Sequence, residues 1–255
     1  MKETILHDTA LRAEGALDPA KVRSSAILSR RWMGRRARRA ALAATLGGSL
    51  AVLLSPVLLS KHGGCPKSKA AKPALTRAND TAGESADALA DALSSAETRT
   101  KLFAAVSQCR ASLSERQRWR IVDAIHQEAE RHGYDPLFVM AMVEVESTCS
   151  PTANSSRGAV GLTQIKPSTA REVAKDLGVP WGGRSSLVQP MMNVRLGLSY
   201  LAQLEEKFGD PYVAIAAYNL GPGKVSGMSR QHARGARYVR KILARYEGLL
   251  VEHAA

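Results

Sequence analysis

Two Asp-Pro dipeptides, Asp135-Pro136 and Asp210-Pro211, each stand directly before a short apolar run, and they constrain the fold of this chain more than any other feature. An aspartate there can cap a helix, and a proline in the first helical turn loses only an N–H that has no intrahelical partner. The first helix is predicted to run through Leu137, Val139, Met140 and Val143 to Glu146, the second from Pro211 to Ala217. Upstream, Ser114 and Gln117 form a capping box before Trp119, Val122, Ile125 and Ala129, which recur at helical spacing until Gly133. Shorter helices are expected at 167–177 and 190–208. Almost no strand pattern interrupts this series, so residues 112–248 are expected to form one all-α domain. A chain of 255 residues that is 45% hydrophobic holds such a domain with additional segments.

The additional segments lie N-terminal. Arg30, Arg31, Arg35, Arg36, Arg38 and Arg39 precede a run, Ala40 to Ser60, without an ionisable residue. That length suits a membrane-crossing helix, and the arginines supply a positive-inside signal. The expected topology is a short cytoplasmic basic segment (1–39), a transmembrane helix (40–60) and a single-pass bacterial inner-membrane protein with its main domain in the periplasm. A cleaved signal peptide, a buried helix and lipidation at Cys65 are the competing readings. Residues 61–83, rich in glycine, proline, lysine and alanine, read as a flexible linker. Residues 84–111 read as accessory helices, with Leu89, Leu93, Leu102, Phe103 and Val106 on helix faces and a break near Ser94 to Thr100.

The net charge of +13 invites a nucleic-acid reading. The arginines at 30–39 are better explained by topology, no nucleic-acid-binding module is present, and nucleic acid is not an expected partner. The basic excess elsewhere suits an anionic cell-wall polymer or a membrane surface. His62, His126, His132 and His232 show no ligand spacing with the cysteines, so neither a metal nor a cofactor is expected. Under the expected topology Cys109 and Cys149 both lie in an oxidising compartment and can form one disulfide, leaving Cys65 over.

Glu144 and Glu146 end the apolar helix two residues apart, so they point to different faces. One of them faces partly inward, and desolvation raises the pKa of such a carboxyl into the range of a general acid. The residues that follow Glu146 carry more: Ser147, Pro151, Ala153, Ser155, Gly158, Ala159, Gly161, Leu162 and Gln164. This stretch resembles the core motif of the soluble lytic transglycosylase family, goose-type-lysozyme-like enzymes that cleave peptidoglycan. Further matches come in the family's order: Pro167, Thr169 and Ala170; then Asn193, Gly197, Tyr200 and Leu201; then Ala216, Ala217, Tyr218, Asn219, Gly221, Pro222 and Gly223; then Tyr238, Val239 and Ile242. They span roughly residues 118–245.

The resemblance implies a lysozyme-like α-helical catalytic domain in which Glu146 is the single catalytic acid. It implies cleavage between N-acetylmuramic acid and N-acetylglucosamine with formation of 1,6-anhydromuramyl ends, the muramyl C6 hydroxyl acting as nucleophile. Gln164, Tyr218, Asn219 and Tyr238 are the implied substrate-binding residues, Tyr238 also holding the acid. Ser147 reads as a local helix-terminus hydrogen-bonder. The implied partners are peptidoglycan glycan strands, with the inner membrane and a cell-envelope assembly or secretion complex following from the topology. A hydrolytic muramidase and a catalytically inactive glycan-binding protein are the alternatives. The chain departs from the family pattern at Cys149, where a large apolar residue is usual, and at Thr163, where methionine is frequent. It departs again at Gln189, in place of an aspartate, and at Arg234-Gly235, in place of Glu-Thr.

Overall fold

The computed structural model describes residues 76–252, with side chains from residue 88 onward. Every regular element among them is helical: α1 (Thr76–Cys109), α2 (Glu115–His132), α3 (Pro136–Ser147), α4 (Pro167–Asp176), a 3₁₀ turn (Arg184–Val188), α5 (Pro190–Phe208), α6 (Pro211–Leu220), α7 (Pro222–Ser226), α8 (Arg230–Arg234) and α9 (Arg237–Glu252). Only two isolated bridges, Asn154 with Val160 and Val160 with Ile165, have β character.

The caps follow the sequence. Ser114 and Gln117 form the reciprocal capping box of α2, and Gly133 ends that helix in the left-handed conformation at φ 71°. The Asp135 carboxylate accepts from Leu137 N at the start of α3, and Asp210 accepts from Tyr212 N and Val213 N at the start of α6.

α3 is the central helix. All seven residues from Leu137 to Val143 are buried, so it has no solvent face over its first two turns. The main core gathers around it from α1, α2, α5, α6 and α9. A second, smaller cluster joins Val160 and Ile165 of the loop after α3 to Ala170, Val173 and Ala174 of α4, Leu187, and Leu196 of α5. Tyr200 packs against both clusters and marks the seam between them.

The accessory region differs from expectation. α1 runs unbroken through Ser94–Thr100, and it begins at Thr76, inside the stretch read as linker. Contacts with α2 carry it through the polar stretch: Arg99 pairs with Asp123 at 2.6 Å, Ser95 Oγ lies 3.2 Å from His126 Nε2, and Phe103 stacks on Trp119. Within the helix, Glu97 pairs with Lys101. Tertiary packing thus supplies what local propensity lacks. Leu102, Ala105 and Val106 enter the main core, so the C-terminal part of α1 is integral to the domain, whereas Leu89 and Leu93 are exposed.

The membrane expectation is corrected. Among the described residues no helix is long and apolar enough to cross a membrane. The run at 40–60 that prompted the transmembrane reading lies outside the described residues, as do the basic segment before it and Cys65. Over the described residues the fold class is therefore all-α and lysozyme-like, with no membrane-spanning helix among them. The inner membrane is withdrawn as a partner, and the single-pass inner-membrane location with a periplasmic domain is withdrawn with it. Hydropathy and flanking charge were the whole ground for the span, and no helix among the described residues adds to it.

Candidate active site

The end of α3 brings the acid to the surface. After Val143 the helix stops being fully enclosed, and Glu144, Val145, Glu146 and Ser147 are half-buried. The two glutamates diverge as their spacing requires. Glu144 turns to α9 and forms an ion pair with Arg245 at 2.8 Å. Glu146 turns to a cleft. Ser147 Oγ donates back to Val143 O at 3.0 Å, which makes it a helix-terminus hydrogen-bonder. Thr148 and Cys149 then take the left-handed conformation, at φ 49° and 55°, and reverse the chain. A disulfide from Cys149 to Cys109 fastens this reversal to the end of α1.

Glu146 stands between two hollows. One, of about 430 Å³, is lined among others by Gln164, Tyr200, Tyr218 and Asn219. The other, of about 420 Å³, is formed by Val145, Glu146, Asn219, Arg237, Tyr238 and Lys241. Glu146 and Asn219 belong to both. All five site residues expected from the sequence thus converge on one cleft: Glu146 and Asn219 at its centre, Gln164 and Tyr218 on one side, Tyr238 on the other. Glu146 is the only carboxylate among the residues that line either hollow.

Burial pushes the Glu146 carboxyl up to about 7, and a hydrogen bond from Tyr238 partly opposes this. The Tyr238 hydroxyl donates to Glu146 Oε1. Burial, then the neighbouring Glu146 charge, holds the Tyr238 phenol well above its ordinary range, so it remains a donor. Tyr218 is also raised, by burial first and Glu146 second. Its hydroxyl donates to Thr163 O at 2.9 Å, and its ring lies 5.4 Å from that of Tyr200.

The loop from Cys149 to Lys166 forms the far wall, and it is held by one buried side chain. Asn193 of α5 donates from Nδ2 to Val160 O and Leu187 O, both at 2.9 Å, and accepts at Oδ1 from Thr163 N at 2.8 Å. Thr163 Oγ1 donates to the same Oδ1 at 2.8 Å. The approach is so close that a Cβ on Gly161 would lie 2.2 Å from Asn193 Nδ2, and one on Gly197 would lie 2.4 Å from Thr163 Oγ1. Both positions therefore require glycine. This frame presents Gln164, itself left-handed at φ 50°. Gln164 Nε2 is committed to Gly161 O at 2.9 Å and Ala153 O at 3.3 Å, so its carbonyl oxygen is the atom left for a ligand.

Three of the departures from the family pattern are absorbed by new interactions. Cys149 is disulfide-bonded, Thr163 bonds Asn193, and Arg234 Nη2 meets the buried Asp210 carboxylate at 2.5 Å. Gln189 precedes α5 without a side-chain cap.

Sequence reasoning missed several lining residues. Tyr200 was matched only as part of a motif, and it lines the first hollow. Arg157 and Lys166 line the first hollow, Arg237 and Lys241 the second. An exposed cation carries no periodic signal that separates a cleft wall from an ordinary surface.

Among the described residues no group of three or more histidine, cysteine or carboxylate side chains is arranged to hold a metal ion.

Comparison with known proteins follows the same boundaries. Residues 123–240 match the family model described as Transglycosylase SLT domain. The soluble lytic murein transglycosylase of Salmonella typhimurium is 40% identical over 90 residues, which are 34% of this chain and 14% of that protein. Membrane-bound lytic murein transglycosylase C of Edwardsiella ictaluri is 34% identical over 119 residues, 42% of this chain and 32% of that protein. Among solved structures, an inactive mutant of the lytic transglycosylase Slt from Pseudomonas aeruginosa aligns with a TM-score of 0.46 at 29% identity, covering 52% of this chain and 24% of that one. The chain spans less than a third of the Edwardsiella protein and about a seventh of the Salmonella protein. The chain belongs, through residues 123–240, to the soluble lytic transglycosylase (SLT) family.

Proposed function

We propose that this protein is a peptidoglycan lytic transglycosylase that breaks the β-1,4 bond between N-acetylmuramic acid and N-acetylglucosamine with Glu146 as its single acid and base. The observation that carries this reading is the isolation of Glu146. It is the one carboxylate lining either hollow, and its carboxyl is raised to about 7. Glycoside hydrolysis by paired carboxylates needs a second group roughly 5–5.5 Å away for retention or 6.5–9.5 Å away for inversion. Glu144, the nearest candidate along the chain, is engaged with Arg245 and lines neither hollow. A nucleophile supplied by the substrate removes the need for a partner.

Protonated Glu146 gives its proton to the glycosidic oxygen as the C1–O bond breaks, and the departing N-acetylglucosamine leaves as a 4-hydroxyl. Oxocarbenium character develops at C1 of the muramyl residue. The Glu146 carboxylate, steadied by the Tyr238 hydroxyl on Oε1, takes the proton from the muramyl C6 hydroxyl. O6 bonds to C1, closing the 1,6-anhydro ring, and Glu146 is protonated again. A carboxyl near 7 serves both halves of this cycle at neutral pH. Gln164 and Asn219 supply hydrogen bonds to the acetamido and hydroxyl groups of the rings on either side of the scissile bond, and Tyr200 and Tyr218 supply apolar ring surface.

The test is mass analysis of digested peptidoglycan. The expected products carry anhydromuramyl ends, lighter than reducing ends by one water, and Glu146→Gln yields none. Reducing ends from the wild-type protein would replace this reading with hydrolysis.

A further inference from the structure

The second hollow has chemistry that ring recognition does not require. Its wall carries Arg237 and Lys241, four residues apart on α9 and therefore on one helix face. Both are exposed, and neither pairs with a carboxylate among the described residues. α9 also begins at Arg237 with no acidic residue in its first turn, so the positive end of its macrodipole adds to the two side chains. Other arginines of this region are spent on structure: Arg234 on Asp210, Arg245 on Glu144 and Glu252. The two cations are thus left facing the hollow that opens directly beside the acid.

The sugar rings and acetamido groups of a peptidoglycan strand are uncharged. The anionic groups are the carboxylates of the peptide stems, which branch from the muramyl lactyl ether on C3. A muramyl ring whose C1 lies at Glu146 projects its stem only a few ångströms from that carboxyl, within reach of a neighbouring wall. We propose that Arg237 and Lys241 form a carboxylate-binding wall that makes cleavage selective for peptide-bearing over uncharged or stripped glycan. The proposal rests on the glycan-cleaving reading above. The guanidinium of Arg237 can take a carboxylate through two parallel N–H donors, and Lys241 adds a point charge one turn further along.

The experiment compares kcat/KM on peptide-bearing glycan strands and on the same strands whose stem carboxylates have been converted to amides. Wild-type protein is expected to lose roughly tenfold on amidation, a scale set by charge-assisted hydrogen bonds at an exposed, partly screened wall. The double variant Arg237→Gln/Lys241→Gln is expected to fall to that lower level on native strands, through KM, and to lose nothing more on amidation. Arg230→Gln, which removes a charge outside both hollows, is expected to keep the wild-type preference. A wild-type protein that does not distinguish the two substrates overturns the proposal. So does a double variant that retains the wild-type ratio between them. Anhydromuramyl ends, scored in the same digests, report the underlying chemistry separately. If they are absent throughout, the catalytic reading fails, and if they are present without charge preference, only the carboxylate wall fails.

Discussion

The burial that suits Glu146 to its proposed role as acid and base carries a folding cost, and Glu146→Gln is expected to recover it. An unfolded chain ionises this carboxyl at its ordinary value of 4.5, whereas the folded protein holds the proton up to about 7. Between those values the folded state binds a proton that the unfolded state has released, so stability falls as pH rises through the interval. Below about 4.5 both states are protonated and the cost is absent, and above about 7 it is complete. At about 1.36 kcal/mol per pH unit, the elevation corresponds to roughly 3 kcal/mol. The Tyr238 hydrogen bond to Oε1 is already included, because it opposes the elevation. Glutamine keeps the size and the acceptor oxygen and has no charge to desolvate. The variant should therefore match the wild type near pH 4 and exceed it by about 3 kcal/mol at pH 8, or roughly 6–12 °C in Tm for a domain of this size. Thermal unfolding of both proteins across pH 4 to 8, followed by circular dichroism, measures the difference. A gap that does not change with pH would refute the reasoning, because it would place the carboxyl in an environment no drier than water. A gap largest at low pH would refute it more strongly, since the sign of the linkage would then be reversed.

Tyr238→Phe removes the hydroxyl that favours the charged form of Glu146, so the carboxyl should rise further, by about one pH unit for a charge-assisted bond. The high-pH limb of kcat/KM should move upward as the maximal rate drops, and a limb that stays in place would sever Tyr238 from the control of the acid. Reducing the Cys109–Cys149 disulfide, or replacing Cys149 with serine, opens a cross-link between residues 40 apart and should cost about 4 kcal/mol on the chain-entropy account. Because Cys149 lies three residues after Glu146, reductant should depress turnover in step with Tm, and an unchanged melting profile in reductant would show that the bond constrains nothing.

The helices were legible because their ends are written in local chemistry. Asp135, Asp210, Ser114 and Gly133 each satisfy backbone groups within a few residues of themselves, so neighbouring positions suffice to read them. The continuity of α1 was not legible, because its polar middle is carried by Asp123, His126 and Trp119 of another helix. The same contrast runs through the site. Glu146 could be located because an apolar helix ends there and a family motif follows. Nothing local said that Asn193, some thirty residues from Gly161 and Thr163, would hold the loop that forms the opposite wall. Nor did anything local separate Arg237 and Lys241 from the other cations of α9.

One buried amide and two glycines thus decide the geometry of the opposite wall. Asn193 satisfies two buried carbonyls and one buried N–H at once, and Gly161 and Gly197 are what let it and Thr163 come close enough to do so. The same threonine carbonyl receives the Tyr218 hydroxyl, which links the loop to α6 and so to Asn219 at the centre of the cleft. A family position often occupied by methionine therefore carries, as Thr163, a hydroxyl inside this network. The side chain differs while the backbone bonds at that position do not depend on it. The wall can consequently vary in sequence at Thr163 without releasing Gln164 or Tyr218, whereas a change at Asn193 would leave three buried backbone groups without partners and loosen both sides of the acid together.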